Sequence, residues 1–95
     1  METQITLKGL EKILRGNLDD DGILLNEQNT GYSISTCYAF DNDGRNLGRI
    51  LTAYSESDDD FIVSVNGKVR IFKTLGAIEK ALDSIGVESF HVSLV

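Results

Sequence analysis

Proline is absent from this chain, so every bend has to be made by glycine, asparagine or aspartate, and nine glycines are available for the purpose. Cysteine occurs once, as Cys37, which excludes an internal disulfide and makes the reducing cytoplasm the expected compartment. The opening residues Met1-Glu2-Thr3-Gln4 lack the basic and long apolar regions of a signal peptide. Apolar runs are short, of the kind Phe61-Ile62-Val63, and none approaches the ~20 residues of a membrane-crossing helix, so no membrane association is expected. Positive charge is also scarce. Nine basic against fifteen acidic residues leave a formal charge of −6, which repels phosphate backbones at long range and argues against nucleic acid as the main partner.

What is present fits an ordinary globular protein, with 41% hydrophobic and 25% charged residues. The 95 residues are expected to form one domain spanning positions 1–95, large enough to bury about two-thirds of its unfolded surface.

Leu7, Leu10, Ile13 and Leu14 recur at helical spacing, with Thr6 as cap, Lys12 and Arg15 at the negative end and Gly16 as terminator. The run from Asn17 to Gly22 then reads as a turn into a short strand, Ile23-Leu24-Leu25. From Gly31 to Phe40, Tyr32, Ile34, Thr36, Tyr38 and Phe40 alternate with Ser33, Ser35, Cys37 and Ala39, which is the clearest strand pattern in the chain. Asp41-Asn42-Asp43-Gly44 supplies a turn, and Leu47 to Tyr54 is expected to return as an antiparallel partner that shares an aromatic face.

A second hairpin is expected from Phe61 to Phe72 around Asn66-Gly67. A two-residue turn there would set Val63 opposite Arg70 and Val65 opposite Lys68, mixing charged and apolar groups. A three-residue loop of Val65, Asn66 and Gly67 with a glycine bulge instead gathers Phe61, Val63, Val69 and Ile71 on one face, and is preferred. Thr74 can cap a second helix carrying Leu75, Ile78, Leu82 and Ile85, ended by Gly86 with Val87 placed for a Schellman contact. Ser89 to Val95 closes the chain as a strand. The likeness of Thr6–Leu14 to Thr74–Leu82 needs only the shared chemistry of two capped amphipathic helices, because the segments that follow have nothing in common.

The expected fold is therefore a two-layer α+β domain, a mainly antiparallel sheet of about five strands with two helices, in the order helix, four strands, helix, strand. Its expected core comprises Leu10, Leu14, Val63, Ile71, Ile78, Leu82, Ile85 and Val92.

Chemistry-bearing residues are few. A Cys–His nucleophile pair would need Cys37 and His91 in contact, yet nothing local activates either, and Cys37 stands among small strand residues typical of a packed position. Asp19-Asp20-Asp21-Gly22 and Asp41-Asn42-Asp43-Gly44 look like fragments of a calcium loop. The twelfth positions counted from Asp19 and Asp41 are Thr30 and Thr52, where that loop requires glutamate. No catalytic, metal or cofactor site is expected.

Lys68, Arg70 and Lys73 form a local basic strip of the kind that binds backbone phosphates. The acidic clusters at Asp19–Asp21, Asp41 with Asp43, and Glu56–Asp60 all fall in expected loops, where they solubilise or, on a rigid domain, imitate nucleic-acid phosphates.

The text Gly67-Lys68-Val69-Arg70-Ile71-Phe72-Lys73-Thr74-Leu75, continuing through Ala77-Ile78, Leu82, Ile85-Gly86-Val87 and Phe90-His91-Val92, resembles small accessory proteins of plasmids and phages. The resemblance implies a mobile-element origin and a partner-binding role in replication, partition or host interference.

The expected function is a non-enzymatic, cytoplasmic protein-binding module that occupies a surface of another protein, as an inhibitor or nucleic-acid mimic. Asp58, Asp59, Asp60, Tyr32, Tyr38 and Tyr54 are its candidate contacts. The alternative is a nucleic-acid-binding accessory protein that uses Lys68, Arg70 and Lys73. Self-association depends on which sheet face the helices take. If they cover Ser33, Ser35, Cys37 and Ala39, then Tyr32, Ile34, Tyr38, Phe40, Ile50 and Tyr54 form an open interface for a homodimer or partner; if they cover the aromatic side, those six are core.

Overall fold

The computed structural model describes residues 3–16, 23–57 and 59–93. Its elements, in chain order, are β1 (Thr3–Ile5), α1 (Leu7–Arg15), α2 (Glu27–Thr30), β2 (Tyr32–Phe40), β3 (Asn46–Ser55), β4 (Asp60–Val65), β5 (Lys68–Val69), α3 (Leu75–Ser84) and β6 (His91–Val92).

Both long helices begin and end where their capping residues place them. The Thr6 hydroxyl accepts from the Gly9 N–H at 3.0 Å, and the Thr74 hydroxyl accepts from the Ala77 N–H at 3.1 Å. At the end of α3 the Gly86 N–H donates to the Asp83 carbonyl and the Val87 N–H to the Leu82 carbonyl, which is the Schellman pattern anticipated for Gly86 and Val87. The third, one-turn helix, α2, has no apolar stripe to announce it. Asn26 caps it by accepting from the Asn29 N–H at 3.0 Å, and Gly31 ends it in the left-handed region.

The strands form one sheet in the order β1-β4-β3-β2-β6, with β5 paired to β4. Strands β2, β3 and β4 make an antiparallel meander, and β1 and β6 add parallel margins on β4 and β2. Strand β1 carries too few residues to show a period in the sequence. The expected strand at Ile23-Leu24-Leu25 reduces, among the described residues, to one bridge between Leu25 and Val87.

Register decides which face the helices cover. Ile34 pairs with Ala53, Thr36 with Leu51, and Phe61 with Ala53, so these residues share one side of the sheet. Against that side pack Leu10 and Leu14 of α1 and Ile78, Ala81, Leu82 and Ile85 of α3, with Leu25, Val63 and Phe72 completing the core. The result is a two-layer α+β fold.

Three expectations need correction. The aromatic face is not shared, because Ser33 pairs with Tyr54 and Cys37 with Ile50, which puts Ile50, Thr52 and Tyr54 on the side away from the helices. The reason is parity: both alternating sets of β3 contain apolar residues, and the five-residue connection after Phe40 selects the one containing Leu51 and Ala53.

The second hairpin turns on two residues, not three. Val65 pairs with Lys68, and Asn66 and Gly67 both have positive φ, 53° and 78°, as in a type I′ turn. The mixture of charged and apolar groups costs little here, since β5 ends at Val69 and both Val65 and Lys68 are exposed.

The shorter turn changes which residue reaches the core. Phe72 is 3% exposed and Ile71 is 36% exposed, so Phe72 takes the core position expected of Ile71. Val92 is also exposed, standing level with Thr36 but on the margin of the sheet. No helix among the described residues is long and apolar enough to cross a membrane.

Candidate partner-binding cleft

Beyond the last helix-covered pair of the β2–β3 ladder, Thr36 with Leu51, comes Tyr38 with Arg49. Arg49 also pairs through its backbone with Phe72, each donating its N–H to the other's carbonyl at 2.8 Å. This pairing requires Gly48, where a Cβ would lie 2.6 Å from the Phe72 carbonyl oxygen. It brings Lys73 and the start of α3 beside the bulged entry of β3, and the space between them is a cleft of about 480 Å³.

Arg49 is 6% exposed and is the one charged residue buried among the described residues. Its guanidinium carbon lies 4.0 Å above the Tyr38 ring, and Nη1 donates to the Ser93 carbonyl at 3.2 Å. No carboxylate pairs with it among the described residues. Lys73, Thr74 and Leu75 line the facing wall. Two exposed apolar side chains line it, Leu47 at 44% and Leu75 at 36%, and a third, Phe40 at 57%, has its ring 6.3 Å from that of Tyr38. The site thus combines a stacked, nearly buried cation with an apolar rim.

The sequence-derived candidates are dispersed. Tyr38 is in the cleft. Tyr32 packs on the helix-covered side, 6.1 Å from the Phe61 ring, and its hydroxyl is pushed above the ordinary tyrosine range by burial and then by the Asp59 carboxylate. Tyr54 is exposed on the opposite face. Asp59 and Asp60 are exposed at the far end of the ladder from the cleft, and Asp58 and the Asp19–Asp21 cluster lie outside the described residues.

Lys68 sits beside the hairpin tip, and the Arg70 guanidinium lies 4.6 Å over the Phe72 ring, lining a separate groove with Lys8. Only Lys73 of the basic strip reaches the cleft. The imidazole of His91 lies 3.6 Å from Glu27 and pairs its strand with Ser35, and Cys37 pairs across to Ile50. The Asp41 carboxylate accepts from the Asp43 and Arg45 N–H groups, so it is engaged in closing its own turn. Among the described residues no group of His, Cys, Asp or Glu side chains is arranged to hold a metal.

Arg49 was missed by sequence reasoning. Its signal is a single arginine on the parity that otherwise holds Leu51 and Ala53, readable only once the register of β3 is known. Comparison with protein-family models, curated proteins and solved structures found no match to this chain.

Proposed function

We propose that this chain is a non-enzymatic, cytoplasmic protein-binding module that acts by occupying a surface of another protein, and that the Arg49 cleft and its rim are the contact surface. The observation that carries this reading is the arrangement of Arg49 stacked on Tyr38 in a cleft lined by exposed Leu47 and Leu75, with exposed Phe40 beside Tyr38. Binding energy at protein interfaces concentrates in tyrosine and arginine anchors surrounded by apolar groups that exclude water. The resemblance of the C-terminal text to plasmid and phage accessory proteins supports a partner in a bacterial host, engaged to inhibit it. Glu27, Glu56, Asp59 and Asp60, exposed at the other end of the sheet, suit a nucleic-acid mimic, which would present these carboxylates to a basic groove.

The test compares the unmodified protein with Leu47→Asp as baits in a bacterial lysate, with captured proteins identified by mass spectrometry. The expected result is a protein held by the first bait and lost from the second. Identical captures on both baits would exclude the cleft as the contact surface.

A nucleic-acid-binding role keeps one supporting observation, the convergence of Arg49 and Lys73 on a single cleft. It requires a salt-sensitive gel shift that Lys73→Glu abolishes.

A further inference from the structure

A guanidinium has five N–H donors, and among the described residues Arg49 commits one nitrogen to a protein hydrogen bond, at Ser93. No buried side-chain nitrogen among the described residues lacks a partner, so the remaining nitrogens of Arg49 keep contact with solvent, and the cleft is the opening that this residue lines. A cation withdrawn from water to this extent, with no carboxylate beside it among the described residues, is costly to hold and gains most from an anion arriving at its solvent-facing edge. Two further features of the cleft act in the same direction. Lys73 adds a second positive charge, and the N–H groups of Leu75 and Gly76, in the first turn of α3, have no carbonyl partner within the helix.

We propose that the cleft binds a carboxylate carried on an apolar body, and that in the complex this group is an acidic side chain flanked by aliphatic or aromatic residues on a segment of the partner protein. The inference rests on the protein-binding reading above and names the chemistry that reading requires. Two observations favour a carboxylate over a phosphate. The exposed side chains of Leu47 and Leu75 border the cationic centre, so the ligand gains from carbon next to its charge. The molecule also carries a formal charge of −6, which penalises an approaching dianion twice as heavily as a monoanion.

The test is a titration followed by nuclear magnetic resonance, read at the Arg49 Nε–H and at the backbone amides of Gly48, Leu75 and Gly76. The probes are hexanoate, hexanol and inorganic phosphate. Hexanoate is expected to give saturable shifts at these four positions in the millimolar range. Lys73→Gln, a change at an exposed residue that leaves the fold in place, is expected to weaken hexanoate by about two- to fivefold, the worth of an exposed charge pair.

Equal binding of hexanol would overturn the anion assignment, and tighter binding of phosphate would overturn the carboxylate. Absence of saturable shifts with hexanoate refutes the site. If the lysate partner is still lost on Leu47→Asp in that case, the protein-binding reading stands and only the carboxylate falls. If the partner is indifferent to Leu47→Asp while hexanoate binds, the reverse holds.

Discussion

A Cβ at position 48 would stand 2.6 Å from the Phe72 carbonyl oxygen and 2.8 Å from the Ile71 side chain, on backbone at φ 127°. Gly48 therefore does two jobs, admitting the bulge at the entry of β3 and letting the segment after β5 come close enough to bond Arg49. Gly44, in the preceding turn, also has positive φ, 81°, but a Cβ there would meet nothing within 4 Å. The two positions separate backbone preference from collision. Gly44→Ala is expected to cost about 1 kcal/mol, and Gly48→Ala about 3 kcal/mol or more, because the obstructing atoms include backbone that cannot swing aside. Urea denaturation checks both. Equal losses would mean that the Arg49–Phe72 pairing yields easily, and the wall of the cleft would then be soft.

The elements differ in how far the sequence announces them, and the difference has a physical basis. Helices α1 and α3 were legible because their stop and start signals are local: a threonine hydroxyl reaches an N–H three residues away, and Gly86 closes a turn within its own helix. Strand β2 was legible because one of its alternating sets is composed of small residues and the other of large ones.

The facing of β3 was not legible, since Ile50 and Tyr54 compete with Leu51 and Ala53 and the choice belongs to the connection before them. For the same reason the site was half visible. Tyr38 was identified on β2, whereas Arg49 opposite it depends on the register of β3.

The β4–β5 hairpin shows the same sensitivity to one residue. Its two-residue turn at Asn66-Gly67 hands the core position to Phe72 and leaves Ile71 at the surface. Phe72→Ala is expected to cost about 3–5 kcal/mol. Ile71→Ala, at a position 36% exposed, is expected to cost about 1 kcal/mol or less, as measured by thermal or urea unfolding. The opposite ranking would restore the three-residue loop.

Across the whole molecule, the helices occupy one side of the sheet and leave the other uncovered, so the composition of that second side governs self-association. It presents Ser35, Cys37, Ile50, Thr52 and Tyr54, while Ser33 and Ile62, on the same side, are themselves buried. Hydroxyl groups share it with Cys37 and Ile50, and Tyr54 is the one large apolar side chain on that face that stands clear in solvent among the described residues, with the exposed imidazole of His91 on the same face. A stable pair of copies needs about 800 Å² from each partner with a largely apolar centre, and a face of this mixed, partly polar composition is expected to fall short of it.

Charge acts in the same direction, because two copies of a chain with formal charge −6 repel each other at low salt. Of the exposed apolar groups, Leu47 and Leu75 line the Arg49 cleft and Phe40 stands beside Tyr38 at its edge, whereas Leu24, Val65, Ile71 and Val92 lie outside it. Tyr38 and Tyr54 consequently belong to different surfaces, and replacing both at once would confuse two questions. The expected outcome in sedimentation equilibrium at micromolar concentration is a monomer, for the unmodified protein and for Tyr54→Ser alike. A dimer that Tyr54→Ser disperses with the fold intact would show that the uncovered sheet face is an interface after all, and the cleft would then have to share the role of binding surface with it.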